Sequence, residues 1–228
     1  FGKWGSGKTS VINMASTEIE KLAKDDKNKP IIFRFSPWNF SDKDNLISLF
    51  FENLKNKLEI QTDERLKRNV GKALRDYAGA FDALSMVPAI GSGMAVIIKT
   101  IMQVKGSSLM EIPDLEKTRK KLEEELIKSE KKIIIIIDDI DRLTNSQIRD
   151  VFQLVKQVAD FPNIIYVLSM DRDVVSNALA GVHNIDGNEY LEKIIQVPFE
   201  LPDLRKSKLN KIFLTKIDEI INEYSKEF

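Results

Sequence analysis

The sequence predicts a three-layer α/β domain built around a parallel sheet, and three observations favour this class. A run of five isoleucines, Ile133–Ile137, is continuous rather than alternating, which is typical of a strand covered by helices on both faces. Other strand-like segments alternate with amphipathic helical patterns along the chain. The 228 residues, 43% of them hydrophobic, suffice to bury one ordinary core. We therefore expect one α/β core with an elaboration.

The first predicted elements are a helix, a strand and a second helix. Apolar residues at helical spacing predict a helix over Thr9–Lys24, which the cluster DDKNKP ends. The apolar segment Ile31–Phe35 then predicts a strand, which the segment SPWNFSDKD ends. A second helix is predicted from an apolar stripe that comprises Leu46, Leu49, Phe50, Leu54 and Leu58.

The elements after the isoleucine run follow the same alternation. Thr144, with Gln147 three residues later, predicts a capping box at the start of a helix whose apolar face includes Val151. We expect a buried strand over Asn163–Asp171, a short helix over DVVSNALA, and a last strand over Ile194–Pro202. A final amphipathic helix is predicted from Leu209, Ile212, Phe213, Ile217, Ile220 and Ile221.

The segment between about Leu58 and Lys132 breaks this alternation, and we interpret it as a mostly helical insertion. Its uncharged stretch Ala83–Ile98 is shorter than the about 20 apolar residues that a membrane-spanning helix needs. A helical hairpin packed on the protein or on a partner is therefore favoured over membrane contact. The Lys- and Glu-rich helix predicted over Asp114–Glu130 is expected at the surface. The resulting division is 1–58 and 132–228 for the core and 59–131 for the insertion.

Composition excludes several classes of function. Lys plus Arg and Asp plus Glu both number 35, so no net positive charge would hold a nucleic acid, and nucleic acid is not the expected partner. The absence of Cys excludes disulfides, zinc ribbons and thiol chemistry, and one histidine, His183, cannot by itself build a metal site or a Ser-His-Asp triad. No signal peptide is recognisable. The expected location is the cytoplasm, with membrane association as the alternative.

The first residues match a phosphate-binding loop. Gly2, Gly7, Lys8 and Thr9 satisfy the pattern G-x-x-x-x-G-K-[ST]. Glycines let backbone N–H groups turn inward around phosphates, while the lysine reaches the β- and γ-phosphates and the hydroxyl binds Mg²⁺. The helix that must follow such a loop is predicted directly after it. The candidate nucleotide-binding residues are Gly2, Lys3, Trp4, Gly5, Ser6, Gly7, Lys8, Thr9 and Ser10.

Two aspartates follow the isoleucine run and match a Walker B motif. Such a motif needs a carboxylate at the C-terminal end of a buried strand, where it meets the Mg²⁺ held by the loop hydroxyl. Asp138 has this position, so Thr9 and Asp138 are the candidate metal ligands. Asp139 is the candidate general base that polarises the attacking water, and Lys8 is the second candidate catalytic residue.

A weaker set of candidates follows the strand predicted over Asn163–Asp171. Ser169, Asp171 and Arg172 occupy the place where P-loop ATPases carry a polar sensor of the γ-phosphate. Because polar residues end most strands, an ordinary strand end explains them equally well. Arg142 and Arg149 are further candidates for charge stabilisation, although an arginine on a helix is more often a surface residue.

The motifs together resemble the KAP family of P-loop NTPases, which belongs to the additional-strand (ASCE) division near the STAND signalling ATPases. The resemblance rests on GKWGSGKTS, FSPWNFS, IIIIIDDIDRL, YVLSMDRDVV and YLEKIIQVPFELP, and extends from Phe1 to about Lys216 apart from the insertion. More discriminating than the Walker motifs are Trp4, Pro37-Trp38, Asp141-Arg142 and Leu191-Glu192-Lys193.

The resemblance implies a sheet of strand order 5-1-4-3-2, with the P-loop directly after strand 1. Strand 1 is then expected upstream of Phe1, and the chain is expected to be a fragment of a longer one. The resemblance further implies ATP and Mg²⁺ as ligands and self-association that brings an arginine of one subunit to the neighbour's γ-phosphate. A partner protein that binds through the insertion is a further expectation.

The function expected from these observations is an ATP-hydrolysing switch in bacterial signalling or anti-phage defence. One alternative is a nucleotide-gated scaffold that binds ATP without turnover. A second is a DNA-acting ATPase, which needs a basic face that the neutral composition does not supply. A third is a small-molecule kinase, which the double aspartate and the absence of an Arg-rich lid disfavour.

Overall fold

The computed structural model describes residues 1–24, 29–39, 46–61, 64–85, 115–180, 186–202, 213–218 and 221. Most of the apolar stretch Ala83–Ile98, as well as His183 and Leu209, lies outside these residues. Among the described helices, none combines the length and the apolar character that crossing a membrane requires.

The described strands form one parallel sheet. Strand β1 (Ile31–Phe35) pairs with β2 (Ile133–Ile137), which pairs with β3 (Ile164–Leu168), so the order is β1-β2-β3. Ile31 is level with Ile133, which is level with Ile164. The β-branched isoleucines favour the extended backbone of the central strand, which has neighbours on both sides. The predicted parallel sheet is therefore confirmed.

Helices flank the strands in the predicted alternation. Thr144 and Gln147 form the predicted capping box, because Gln147 N donates to Thr144 Oγ1 (3.4 Å) and Thr144 N donates to Gln147 Oε1 (3.0 Å). The helix that they start continues as a π-helical turn, Leu154–Val158. The helices are α1 (Lys8–Leu22), α2 (Leu46–Gln61), α3 (Glu64–Ser85), α4 (Leu115–Ser129), α5 (Asn145–Gln153), α6 (Arg172–Leu179) and α7 (Gly187–Ile194), with 3₁₀ helices at Pro37–Asn39 and Ile140–Arg142.

One face of the sheet, which we call the closed face, packs against helices. It consists of the alternate residues Ile31, Phe33 and Phe35 of β1 and Ile133, Ile135 and Ile137 of β2, all buried in one hydrophobic core. Edge-to-face ring contacts continue this core from Phe35 to Phe50 (5.3 Å between centroids), Phe51 (5.2 Å), Tyr77 (5.3 Å) and Phe161 (5.3 Å). These rings therefore join β1, α2 and α3.

The helices α3 and α4 pack on each other and share this core. Leu122 and Leu126 of α4 are buried, although the charged sequence predicts a surface helix. That expectation is right for the Lys and Glu side chains and wrong for the two leucines, because burying one apolar stripe stabilises a helix more than propensity alone. Tyr77 of α3 donates its hydroxyl to Val158 O (2.9 Å), which fixes α3 against the end of the π-helical turn.

The other face, which we call the open face, is partly uncovered. Ile136 is buried there, but Ile165 and Val167 of β3 are 45% and 37% exposed, so the expectation that β3 is a fully buried strand is wrong for this face. Among the described residues, these two side chains line an apolar groove of about 730 Å³. Its walls include Val11, Ala15, Ile19, Ile134, Val197 and Phe199.

The last predicted strand, Ile194–Pro202, is wrong as a regular strand. Ile194 ends α7, and residues 195–202 adopt no regular secondary structure. Two backbone hydrogen bonds nevertheless connect this segment to Phe1, whose nitrogen donates to Phe199 O (2.6 Å) and whose oxygen accepts from Leu201 N (2.9 Å). A strand needs a continuous ladder of backbone hydrogen bonds to a neighbouring strand. Among the described residues, Phe1 alone forms such bonds with this segment beyond Ile195.

Candidate nucleotide-binding site

The loop Phe1–Gly7 precedes α1 and contacts the carboxyl end of the sheet. Gly2 N donates to Met170 O (3.2 Å), just beyond β3, and Ser6 N donates to Lys3 O (3.1 Å), which closes a tight turn. Gly5 and Gly7 have φ values of 78° and 89°, a region that side chains disfavour, so glycine is favoured at both positions. No side chain caps the start of α1 at Gly7, which leaves the amides of the first turn available to an anion.

Lys8 lies inside this loop with its ammonium group almost fully enclosed. Its Nζ donates to Gly2 O (2.9 Å) and to Lys3 O (3.4 Å), so the side chain folds back over the loop. Nζ also lies 3.6 Å from Asp141 Oδ2, and only 9% of the Lys8 side chain and 7% of the Asp141 side chain are exposed. The loop therefore positions a cation at the point where phosphates would enter.

Thr9 and Asp138, which are far apart in the sequence, are in direct contact. Thr9 Oγ1 donates to Asp138 Oδ2 over 2.8 Å, and Asp138 Oδ1 accepts from Asp139 N (2.9 Å). Asp138 follows β2, and Thr9 lies in the first turn of α1, so the parallel sheet brings them together at its carboxyl end. The arrangement places a hydroxyl and a carboxylate, both hard oxygen donors, next to the lysine.

Comparison with known proteins agrees with this geometry. The model of the KAP family P-loop domain matches residues 1–228. The chain belongs to the KAP family of P-loop domains. It is also similar to a phage T7 exclusion protein of Escherichia coli strain K12, with 29% identity over 245 residues that cover 99% of this chain and 32% of the relative. The chain thus spans about a third of that relative's length.

Asp139 of this KAP domain has an unusual backbone conformation. Its φ and ψ are 58° and 34°, the left-handed region that non-glycine residues rarely adopt. Its Oδ1 lies 3.0 Å from Arg142 Nε, and the Arg142 guanidinium lies 5.9 Å from the centre of the Trp38 ring. Such strain concentrates at functional sites, where the surrounding structure holds it in place. The Arg142 side chain therefore forms an ion pair with Asp139, the candidate general base.

The three sensor candidates differ in position. Ser169 lies directly after β3 and is buried, with its N donating to Ile137 O (2.9 Å) at the end of β2. Asp171 caps α6, because its Oδ1 accepts from Asp173 N (3.0 Å). The Arg172 guanidinium lies 3.3 and 3.4 Å from the carboxylates of Glu192 and Glu200 and 5.5 Å from the centre of the Phe1 ring. Of the three candidates, Ser169 alone has a side-chain oxygen with no hydrogen-bond partner among the described residues, whereas Asp171 and Arg172 both have partners.

The arginine candidates also have structural contacts. Arg149 Nε donates to Ala178 O (2.9 Å), which joins α5 to α6. Both Arg142 and Arg149 therefore have partners within this KAP domain.

Several buried polar atoms at the site have no hydrogen-bond partner among the described residues. They include Ser6 Oγ in the loop, Asp141 Oδ1 beside Lys8, and Ser169 Oγ after β3. A buried polar atom without a partner costs free energy, so its persistence calls for a ligand or water that satisfies it. The three atoms belong to segments that meet at the carboxyl end of the sheet.

Sequence reasoning missed Asp141 as a site residue. It appears there only within the Asp141-Arg142 pair of the family resemblance, with no role of its own. No local pattern indicates its contact with Lys8, because the left-handed backbone of Asp139 and the 3₁₀ turn Ile140–Arg142 determine where Asp141 lies.

Proposed function

We propose that this domain binds ATP with Mg²⁺ and hydrolyses it as a molecular switch. The observation that carries the proposal is the contact between Thr9 and Asp138 (2.8 Å) beside Lys8, within a glycine loop whose amides have no side-chain cap. Polyphosphate is the ligand that suits an enclosed ammonium group and the start of a helix. The neutral composition favours a nucleotide over a nucleic acid as the anion.

The residues present fit a magnesium ion. Thr9 Oγ1 and Asp138 Oδ2 are oxygen ligands already in contact, which is the donor chemistry that Mg²⁺ prefers. The described residues contain no group of three or more His, Cys, Asp or Glu side chains that could hold a metal ion by itself. Phosphate oxygens and water would therefore complete the coordination, as is usual for Mg²⁺. When bound, the ion would neutralise charge on the β- and γ-phosphates.

The remaining residues have roles in positioning the reaction. Lys8 binds the β- and γ-phosphates once they replace the carbonyl oxygens of Gly2 and Lys3 as its acceptors. Asp139 accepts a proton from the attacking water or orients it for in-line attack. To contact the water, the Asp139 carboxylate must separate from Arg142. The Arg142 side chain is half-exposed, so this ion pair has only modest strength. Ser169 Oγ, buried and unpaired among the described residues, suits a sensor of the γ-phosphate.

The sheet order 5-1-4-3-2 is part of the same proposal. In that order β1, β2 and β3 are strands 2, 3 and 4. The segment 199–201, which is not a regular strand here, would be strand 5 once strand 1 lies beside it. Phe1 forms hydrogen bonds with Phe199 and Leu201, and Gly2 N donates to Met170 O. The backbone of the loop therefore lies between the segment 199–201 and the end of β3. These hydrogen bonds support one further parallel strand that runs into Phe1 and fills the apolar groove beside β3.

The biological role that we propose is anti-phage defence. It rests on the similarity to a phage T7 exclusion protein, which the chain matches over 99% of its own length. Self-association is part of the proposal, since the candidate arginines Arg142 and Arg149 have internal contacts, and a neighbouring subunit would supply an arginine to the γ-phosphate.

The test is phosphate release from ATP and Mg²⁺ by the intact protein over a range of protein concentrations. We expect turnover that rises with concentration and is lost in the Asp138→Ala/Asp139→Ala variant. The matched control is Asp160→Asn, an exposed aspartate before β3 at the opposite end of the strand from the site. Bound ATP without turnover at any concentration would favour a nucleotide-gated scaffold, and turnover only with added duplex DNA would favour a DNA-acting ATPase.

A further inference from the structure

Asp141 is a buried carboxylate that the proposed reaction does not use. Only 7% of its side chain is exposed, and its Oδ2 lies 3.6 Å from Lys8 Nζ. Its other oxygen, Oδ1, is buried and has no hydrogen-bond partner among the described residues. An ionised carboxylate with a free oxygen is costly to bury, so the contact with Lys8 has to provide most of its compensation.

The position of Asp141 follows from the fold around it. Ile140 N donates to Ser169 O (3.3 Å), which ties the 3₁₀ turn after β2 to the residue after β3. Ile140 itself is fully buried in the hydrophobic core, so the turn has little freedom to rotate. The backbone therefore directs Asp141 at Lys8 independently of any ligand.

The same geometry limits the charge that Lys8 presents to an incoming anion. Its ammonium donates to two loop carbonyls, those of Gly2 and Lys3, and its remaining charge is opposed by the Asp141 carboxylate. Both side chains are largely removed from water, so their attraction is weakly screened. A polyphosphate must therefore compete with a fixed negative charge for the same cation.

We infer that Asp141 is the counter-ion of Lys8 in the nucleotide-free site, and that it lowers the affinity of the domain for nucleotide. This inference rests on the proposed function, because it names the group that nucleotide displaces. Once phosphates bind Lys8, Asp141 loses its cation and repels the added negative charge. The residue thus acts through Lys8 as a positioning residue and favours release of the nucleotide.

The pairing is tested without any nucleotide, through thermal unfolding of Lys8→Met, Asp141→Asn and the double variant. Either single change leaves one charge buried without its partner, so we expect each to lower Tm by about 5 °C or more. The double variant buries neither charge and should recover at least half of the summed loss. Losses that simply add in the double variant would overturn the pairing.

The effect on affinity is measured by titration calorimetry with ATP and with ADP, each with Mg²⁺, at low and high salt. Asn keeps the size of Asp and still offers Lys8 an oxygen, so Asp141→Asn removes only the charge. We expect both nucleotides to bind at least about five-fold tighter at low salt, with a smaller gain at high salt. Asp160→Asn is the control, since its exposed side chain lies beyond the opposite end of β3.

The outcomes separate this inference from the proposed function. Unchanged or weaker binding to Asp141→Asn would overturn the inference while leaving nucleotide binding intact. Failure of the unsubstituted protein to bind ATP or ADP would instead refute the proposed function and, with it, the affinity effect of Asp141. In that case the unfolding experiment still decides whether Asp141 and Lys8 stabilise each other.

Discussion

The two faces of the sheet differ in how completely they are covered. On the closed face, Phe33 and Phe35 are buried and contact the ring of Phe50 in α2. On the open face, α1 contributes a single buried residue, Ser16, which accepts a hydrogen bond from Arg34 Nη2 over 3.0 Å. The β-branched residues of the strands are alike on both faces, so neighbouring elements rather than strand sequence determine their burial.

Because of this difference, most residues that stabilise the fold and the residues of the candidate site lie in different parts of the molecule. Helix α1, which follows the phosphate-binding loop and carries Lys8 and Thr9, has few buried contacts of its own. The aromatic core lies on the opposite side of the sheet and contains no candidate site residue. Substitutions on the closed face should therefore alter unfolding, whereas substitution of Asp139 after β2 should alter nucleotide chemistry. The buried pair Lys8 and Asp141 is the exception, because its loss should affect both. The following experiments test that separation.

The largest effect is expected from Phe50→Ala. Phe50 is fully buried and contacts Phe33, Phe35 and Phe51, so its removal leaves a cavity among rings that cannot close around it. We expect the free energy of unfolding to fall by about 3–5 kcal/mol, measured by urea denaturation. A loss below about 1 kcal/mol would contradict the view that the closed face provides most of the stability.

The substitution Asp139→Asn at the site should lower ATP turnover and leave stability nearly unchanged. The amide cannot accept a proton from water, so we expect ATP turnover to fall by about 100-fold while ATP affinity and Tm stay near those of the unsubstituted protein. Phosphate release and titration calorimetry provide the two readouts, with Asp173→Asn, an exposed residue of α6, as the control. Equal turnover in the two variants would exclude Asp139 as the general base.

A smaller effect, with a pH dependence, is expected from Tyr77→Phe. The change removes the hydrogen bond to Val158 O (2.9 Å) but keeps the ring, which should cost about 1 kcal/mol. Burial raises the pKa of Tyr77 from 10.0 to about 12, so the folded state resists deprotonation. Stability from this group is therefore complete below pH 10 and is lost as pH rises through about 12.

The pH experiment needs a second variant, because burial also raises the pKa of Tyr166, whose hydroxyl donates to Ala159 O (2.7 Å). Urea denaturation between pH 9 and 11 should show a shallower decline for Tyr77→Phe and again for Tyr166→Phe than for the unsubstituted protein. Parallel declines for all three proteins would mean that neither tyrosine contributes to the loss of stability at high pH.

The smallest effect is expected from Ile165→Thr on the open face. Its side chain is 45% exposed and borders the groove, so this chain should lose less than about 1 kcal/mol on urea denaturation. A loss of 2 kcal/mol or more in a longer protein that contains this domain would indicate that an additional segment covers Ile165 there. The comparison of the two losses therefore tests whether a further strand fills the groove.

Local patterns in the sequence were sufficient to predict much of the fold. The isoleucines of β2 and the capping box at Thr144 depend on neighbouring residues alone, and both are confirmed. The last strand over Ile194–Pro202 was wrong because a strand also needs a partner, which sequence pattern does not supply. Exposure of Ile165 was missed for the same reason, since it depends on what packs against β3.

At the candidate site, too, local features could be predicted from the sequence and contacts between separate elements could not. The spacing of Gly2 and Gly7 predicted the loop, because the motif encodes a local backbone conformation, and the positive φ of Gly7 is part of it. The contact between Lys8 and Asp141 connects residues on two separate elements, and no local pattern predicts it. The roles of the site residues in catalysis remain predictions that the substitutions above address.

The two tryptophans of the sequence give the site an optical property. Trp4 lies in the phosphate-binding loop with 80% of its surface exposed, and Trp38 is 48% exposed and faces the Arg142 guanidinium, which in turn contacts Asp139. Indole emission of this chain excited at the red edge of protein absorbance therefore originates from the phosphate-binding loop and from the ring beside Arg142. Changes in its wavelength or intensity would follow events there without any introduced dye.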